Sequence, residues 1–205
     1  MHKKKIVMAG TPLESASKVL IMLHGRGADA EDILSVAQYL DVKDYALLAP
    51  QATNNTWYPY SFLAPPKDNE PWLSSAINLL QEITADLIGK NIKQGNIHFL
   101  GFSQGACLTL EFVARHAAKY GGVAAFTGGL IGDSIKTENY AGDFGGMPVF
   151  IGTSDPDPHV PVLRVKETAA IMDKMNAAVA YKLYPQMGHT INQDELNEAN
   201  RLVFS

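Results

Sequence analysis

Gly101-Phe102-Ser103-Gln104-Gly105 places a hydroxyl between two glycines in the pattern G-x-S-x-G. A serine hydroxyl is a weak nucleophile at neutral pH. Acyl-transfer chemistry at such a residue therefore needs a base to take its proton and a third group to fix the base's tautomer. In its functional setting the pattern forms a strained strand-to-helix turn that raises the hydroxyl above a sheet. Both halves of that setting are legible: Asn96–Leu100 reads as a short apolar strand, and Ala106–Phe112 as a helix continuing to about Lys119. The glycines let strand and helix approach without an intervening Cβ. The start of the helix favours negative charge developing beside the serine.

With this turn the partners follow in the order Ser, then Asp or Glu, then His, each on a loop after a strand. Six histidines compete for the base. His2 is terminal, His98 lies inside the strand before Ser103, and His116 sits near a helix end, where a dipole interaction explains it. His24 precedes the serine, and His159 shares a loop with the candidate acids. His189, in Gln186-Met187-Gly188-His189-Thr190, follows the last predicted strand and is the expected base. Asp155 and Asp157 both follow a strand, in Gly152–Pro161, and spacing from that strand leaves both open, with Asp155 at least as well placed. Either could instead be an Asx-turn residue beside proline.

A tetrahedral oxyanion needs two N–H donors. One is expected from Gln104, the residue after the nucleophile, and the other from the loop after an early strand. That loop is Leu23-His24-Gly25-Arg26-Gly27-Ala28, which on this reading makes the Arg26 N–H the second donor, while its guanidinium could equally just be solvated. Gly25-x-Gly27 lacks the third glycine of a dinucleotide loop and the Lys-Ser/Thr of a P-loop, which argues against nucleotide binding. No H-E-x-x-H, helically paired histidines or cysteine cluster suggests a metal.

The elements that must position these residues alternate along the whole chain, the signature of an α/β fold with a mostly parallel sheet. Strands are expected at Lys5–Ala9, Lys18–Leu23, Tyr45–Ala49, Asn96–Leu100, Gly122–Phe126, Pro148–Gly152 and Val179–Tyr184. Helices are expected at Glu31–Leu40, Trp72–Ile88, Val162–Asn176 and from about Gln193 to the terminus. Pro50–Pro71 has no period, and loops of that length are usually functional or disordered. Its aromatic residues argue against disorder. Trp57, Tyr58 and Phe62 could wall a substrate pocket or simply pin the loop to the body, and the sequence leaves both readings open.

The chain has 205 residues, 46% hydrophobic and 19% charged, as expected for a single globular domain over residues 1–205. A net charge of −4 gives no electrostatic case for nucleic acid. Lys3-Lys4-Lys5 reads as a solvated terminus. Cys107 is the only cysteine, expected as a small buried residue in a reducing compartment, and no secretory signal or membrane-spanning run is evident. The cytoplasm is the expected location, and a homodimer is compatible with the sequence.

Leu23-His24-Gly25-x-Gly27, Trp57-Tyr58-Pro59, Gly101-Phe102-Ser103-Gln104-Gly105-Ala106, Asp157-Pro158-x-Val160-Pro161 and Gly188-His189 together resemble the carboxylesterase/phospholipase family that includes the acyl-protein thioesterases. The resemblance runs from about Val19 to the C-terminus. It implies an α/β-hydrolase fold, with a mostly parallel central sheet, helices on both faces and little or no cap domain. It also implies action on carboxylic esters or thioesters without a cofactor. The family's D-P-x-V-P falls on Asp157, which makes Ser103, Asp157 and His189 the implied triad. Asp155-Pro156 departs from the commoner spacing, and Arg26 stands where the eukaryotic thioesterases usually carry an apolar residue. These departures look more like the family's bacterial small-ester hydrolases. The expectation is a serine carboxylesterase for small to medium acyl esters. An acyl-protein thioesterase or lysophospholipase is the alternative, and a non-catalytic binding module the reading from a different class.

Overall fold

Short apolar runs, buried in the middle of the sheet and more exposed at its two edges, define the strands of the computed structural model, which describes residues 1–205. They are β1 (Ile6–Gly10), β2 (Lys18–Leu23), β3 (Tyr45–Pro50), β4 (Ile97–Phe102), β5 (Gly122–Phe126), β6 (Pro148–Asp155) and β7 (Ala178–Pro185). They form one seven-stranded sheet in the order β1-β3-β2-β4-β5-β6-β7. Only β1 runs antiparallel, pairing with β3 at the edge; every other pairing is parallel. The chain steps from β2 outward to β3 and then returns to place β4 on the other side of β2. The carboxyl ends of β2 and β4 therefore flank the switch point at which open parallel sheets bind ligands.

The period of two along each strand divides the core between two faces. Val19, Ile21 and Leu23 of β2 join a large cluster with α2 (Trp72–Gly89), α3 (Gln104–Arg115) and α4 (Val162–Lys174). Leu20 and Met22 face the other way, toward α1 (Ala30–Ser35) and α5 (Gln193–Ala199). Ile77, Leu80, Ile83, Thr84 and Leu87 of α2 are all buried, as their helical spacing predicts. No cap domain stands over the sheet. Residues 51–71 cross its carboxyl end as an irregular segment with short 3-10 turns at Thr53–Asn55 and Pro66–Asn69.

Several boundaries differ from expectation. The helix expected over Glu31–Leu40 is α1 followed by a 3-10 turn, Val36–Tyr39. α3 stops at Arg115, where His116 leaves helical geometry. The C-terminal helix is α5 continued by a π-turn, Asn200–Phe204. Lys4 is not free in solvent: its ammonium bridges Glu82 and Asp86 of α2.

Candidate active site

Ser103 occupies the turn between β4 and α3 with φ 53° and ψ −117°, a left-handed conformation that side chains rarely adopt. Its N–H donates to Phe126 O at 2.9 Å, and its carbonyl accepts from Cys107 N at 3.0 Å, so the strain is held from both sides. The flanking glycines are sterically required. A Cβ at Gly101 would enter the Gly105 backbone, and one at Gly105 would strike Leu23 O.

His189 lies on the loop after β7, and its Nε2 is 2.8 Å from Ser103 Oγ. Its Nδ1 is 2.8 Å from Asp157 Oδ2. Burial alone would raise the pKa of Asp157. The His189 hydrogen bond, the N–H groups of His159 and Val160 on Oδ1 (2.8 Å each) and the His189 charge outweigh it and hold the carboxyl below its usual range. An ionised carboxylate can only accept, so Nδ1 carries the proton and Nε2 is left to accept from the serine hydroxyl. Asp155 is exposed and does not contact the ring; only its carbonyl is engaged, by Gln186 N at 3.0 Å.

The loops carrying His189 and Asp157 share an anchor that the sequence did not reveal. Ser154, buried near the end of β6, accepts from Gly188 N at 2.9 Å and donates to Pro156 O at 2.9 Å. The His189 ring is further bracketed by Phe102, at a centroid distance of 5.3 Å, and by exposed His159, which meets it edge-on at 4.8 Å. Neither neighbour is a competing base.

Gly25 brings the loop after β2 against the serine: a Cβ there would lie 3.6 Å from Ser103 Cβ. No backbone carbonyl takes the N–H of Arg26 or of Gln104, the first residue of α3. The loop is set by His24, whose ring is buried. Its Nδ1 meets Gly25 O at 2.7 Å, and its Nε2 accepts the Ala52 N–H at 3.1 Å. That pairing makes Nδ1 the protonated nitrogen. The guanidinium of Arg26 does not simply rest in water. It donates to Thr56 Oγ1 (3.0 Å), Pro59 O (2.8 Å) and Tyr60 O (2.6 Å).

A cavity of about 730 Å³ opens beside Ser103, with Tyr58, Phe62, Leu63, Cys107, Val160 and Arg26 among its walls. Tyr58 and Phe62 thus lie where a pocket reading needs them. Trp57 does not line this cavity, which corrects its candidacy as a substrate contact. Its indole is fully buried, donates to His24 O at 2.9 Å and stacks against the His24 ring at 5.1 Å, so its place is to pin the loop. Cys107 is buried as expected, its thiol pushed up to about 12 by burial. Being protonated, it offers no competing nucleophile.

His98 is a core residue, packed between Tyr45 and Phe204. At His116, burial and the charge of Arg115 favour the neutral ring. It stacks on Phe112 at 5.0 Å rather than offering a cation to the helix end. No cluster of three metal-ligating side chains occurs, and no helix is long and apolar enough to cross a membrane.

The fold and the Ser-His-Asp geometry define an α/β-hydrolase, and the chain belongs to the phospholipase/carboxylesterase family, which it matches over residues 4–203. It is thus an ester hydrolase of the carboxylesterase and thioesterase kind. The crystal structure of a phospholipase/carboxylesterase from Dyadobacter fermentans is similar, with 51% identity and a TM-score of 0.98 over 100% of this chain and 98% of that one. Acyl-protein thioesterase 1 of Saccharomyces cerevisiae is 28% identical over 91% of each chain. A Bacillus cereus carboxylesterase, 21% identical over 97% of this chain and 92% of that one, shares the fold with a TM-score of 0.79.

Proposed function

We propose that this chain is a cofactor-independent serine carboxylesterase, one catalytic domain over residues 1–205, acting in the cytoplasm on small to medium acyl esters. The hydrogen-bond chain Ser103 Oγ–His189 Nε2, His189 Nδ1–Asp157 Oδ2, at 2.8 Å for each link, carries this reading. Ser103 Oγ attacks the acyl carbonyl as its proton passes to His189 Nε2. Asp157 orients the ring and stabilises the imidazolium. The negative charge on the carbonyl oxygen is met by the N–H groups of Arg26 and Gln104, each such donor typically worth roughly 10²–10³ in kcat. The imidazolium then returns the proton to the leaving alcohol. A water deprotonated by His189 releases the acid and restores Ser103.

The cavity beside Ser103 suits an acyl or alcohol group held by Tyr58 and Phe62. The single cysteine and the lack of any disulfide fit a reducing compartment. Labelling with a fluorophosphonate probe, abolished by Ser103→Ala, tests the nucleophile; an unlabelled wild type overturns the enzyme reading. A chain-length series of p-nitrophenyl esters tests the substrate class. Kcat/KM should fall as the acyl group lengthens beyond medium size. The names of the thioesterase relatives support an acyl-protein thioesterase, or a lysophospholipase, as the second reading, and a preference for palmitoyl thioester over butyrate ester would favour the thioesterase.

A further inference from the structure

Arg26 carries two distinct groups to the site. Its main-chain N–H belongs to the oxyanion loop, while its guanidinium forms part of the cavity wall, folded over the Tyr58 ring with Cζ 6.0 Å from the centroid. A guanidinium has five N–H donors. Three are engaged, two on Nη1 and one on Nη2, and every acceptor is a neutral oxygen. The Nε–H and one Nη2–H take no protein acceptor, and a guanidinium is the side chain best suited to bind a carboxylate. No Asp or Glu forms an ion pair with Arg26. No acidic residue lines the cavity, and the Asp157 carboxylate lies behind His189 with no exposed surface. The cavity wall therefore carries one permanent positive charge, held in place by three hydrogen bonds and facing no acidic side chain.

The geometry points to an anionic ester as the preferred substrate, with a carboxylate on the substrate's acyl or alcohol part received by the Arg26 guanidinium. This inference rests on the esterase reading above and narrows it. A strap holding residues 56–60 would account for the three occupied donors. Such a strap needs no charge, and at this exposed residue water can solvate the guanidinium, so the two roles are separated by the response to substrate charge. Because the oxyanion donor and the guanidinium belong to one residue, the carboxylate would be fixed within one side chain's length of the reacting carbonyl. Binding energy there serves orientation as well as affinity.

The test compares matched pairs of esters differing only in charge. For the acyl side the pair is mono-4-nitrophenyl adipate and 4-nitrophenyl hexanoate; for the alcohol side it is 4-acetoxybenzoate and 4-acetoxybenzamide, whose amide adds no second ester. In one of the two pairs the wild type should favour the anionic member in kcat/KM, and added salt should shrink that preference. Arg26→Gln should reduce the anionic-to-neutral ratio by about tenfold or more, the worth of a charge-assisted hydrogen bond, mainly through KM. Arg26→Lys should restore part of it, since a point charge replaces the fork. Which pair responds identifies the side that carries the carboxylate. A wild type that prefers the neutral member of both pairs overturns the proposal. So does an Arg26→Gln variant that lowers both members equally, which is what a mere strap predicts. Loss of all ester hydrolysis in the wild type would instead defeat the esterase reading itself.

Discussion

Trp57 donates its main-chain N–H to Gln104 Oε1 at 2.8 Å, so the residue beside the nucleophile also anchors the wall of the cavity. The same side chain donates to Tyr58 O at 2.8 Å and accepts the Thr56 hydroxyl at 3.2 Å. Gln104→Ala would leave the buried Trp57 N–H without a partner, at about 1–3 kcal/mol, while the Tyr58 carbonyl keeps the Thr56 hydroxyl at 3.1 Å. A lower melting temperature and a raised KM are expected, with fluorophosphonate labelling of Ser103 retained. If neither Tm nor KM moves, the loop is held by other contacts.

Replacement of the two neighbouring aspartates should separate their roles. Asp157→Asn removes the charge that fixes the His189 tautomer, and kcat should fall by about 10⁴-fold, as in a serine-protease triad. Asp155→Asn alters an exposed carboxyl and should leave kcat near the wild-type value. Comparable losses in the two variants would contradict this assignment of the acid.

Consecutive N–H groups, those of Ala52 and Thr53, donate to imidazoles: to His24 Nε2 and to His2 Nδ1, each at 3.1 Å. Both rings must be neutral to accept, and burial holds the pKa of each below the usual 6.5. The unfolded chain therefore binds more protons in this range, and stability falls as pH falls through 6.5 toward the folded values. Buried His98, pushed down to about 4, extends the same trend to lower pH. Thermal unfolding followed from pH 8 to pH 5 should show this loss. His2→Asn, whose amide can both accept and donate, should flatten the profile; an unchanged slope would count against the His2 contribution.

Glu195 should act in the opposite sense. Its Oε2 accepts the Asn192 N–H at 2.9 Å in the capping box of α5, while Oε1 is buried against Gly152 without a partner. Burial pushes its carboxyl up to about 7 against that N–H, and the charge of Asp194 adds to the rise. The folded state therefore retains a proton that the unfolded chain has lost. Stability drains away as pH rises from 4.5 to 7, by about 1.36 kcal/mol for each pH step of one across that window. Glu195→Gln, which preserves the capping pattern, should be more stable than wild type at pH 8 and nearly equal to it below pH 4.5. Denaturant unfolding at the two pH values checks the sign.

Local chemistry makes the proposed nucleophile and base legible. Gly101, Ser103 and Gly105 can be read as a turn because a Cβ on either glycine is sterically excluded, and His189 follows from strand order. The end of β6 is not legible. Thr153, Ser154 and Asp155 are polar and look like loop, yet they pair with Leu183, Tyr184 and Pro185 of β7 and so extend the strand. That extension displaces the start of the acid loop, which is why spacing alone does not choose between Asp155 and Asp157. The place of Trp57 is hidden for a related reason. Aromatic content in a long loop says that something is buried, but only the hydrogen bond to His24 O shows that the indole faces the body and not the cavity.

The hydroxyl of Ser154 fastens the His189 loop and the Asp157 loop to one another. The His189 and Asp157 loops are tied to the same point on β6, whereas Ser103 rides on β4, with β5 between them. Breathing of the sheet across β5 would lengthen or shorten the contact between Ser103 and His189 while leaving the one between His189 and Asp157 intact. In the proposed mechanism the Ser103–His189 contact is thus the link that spans the sheet from β4 to β6, while the His189–Asp157 contact is closed beside one strand end.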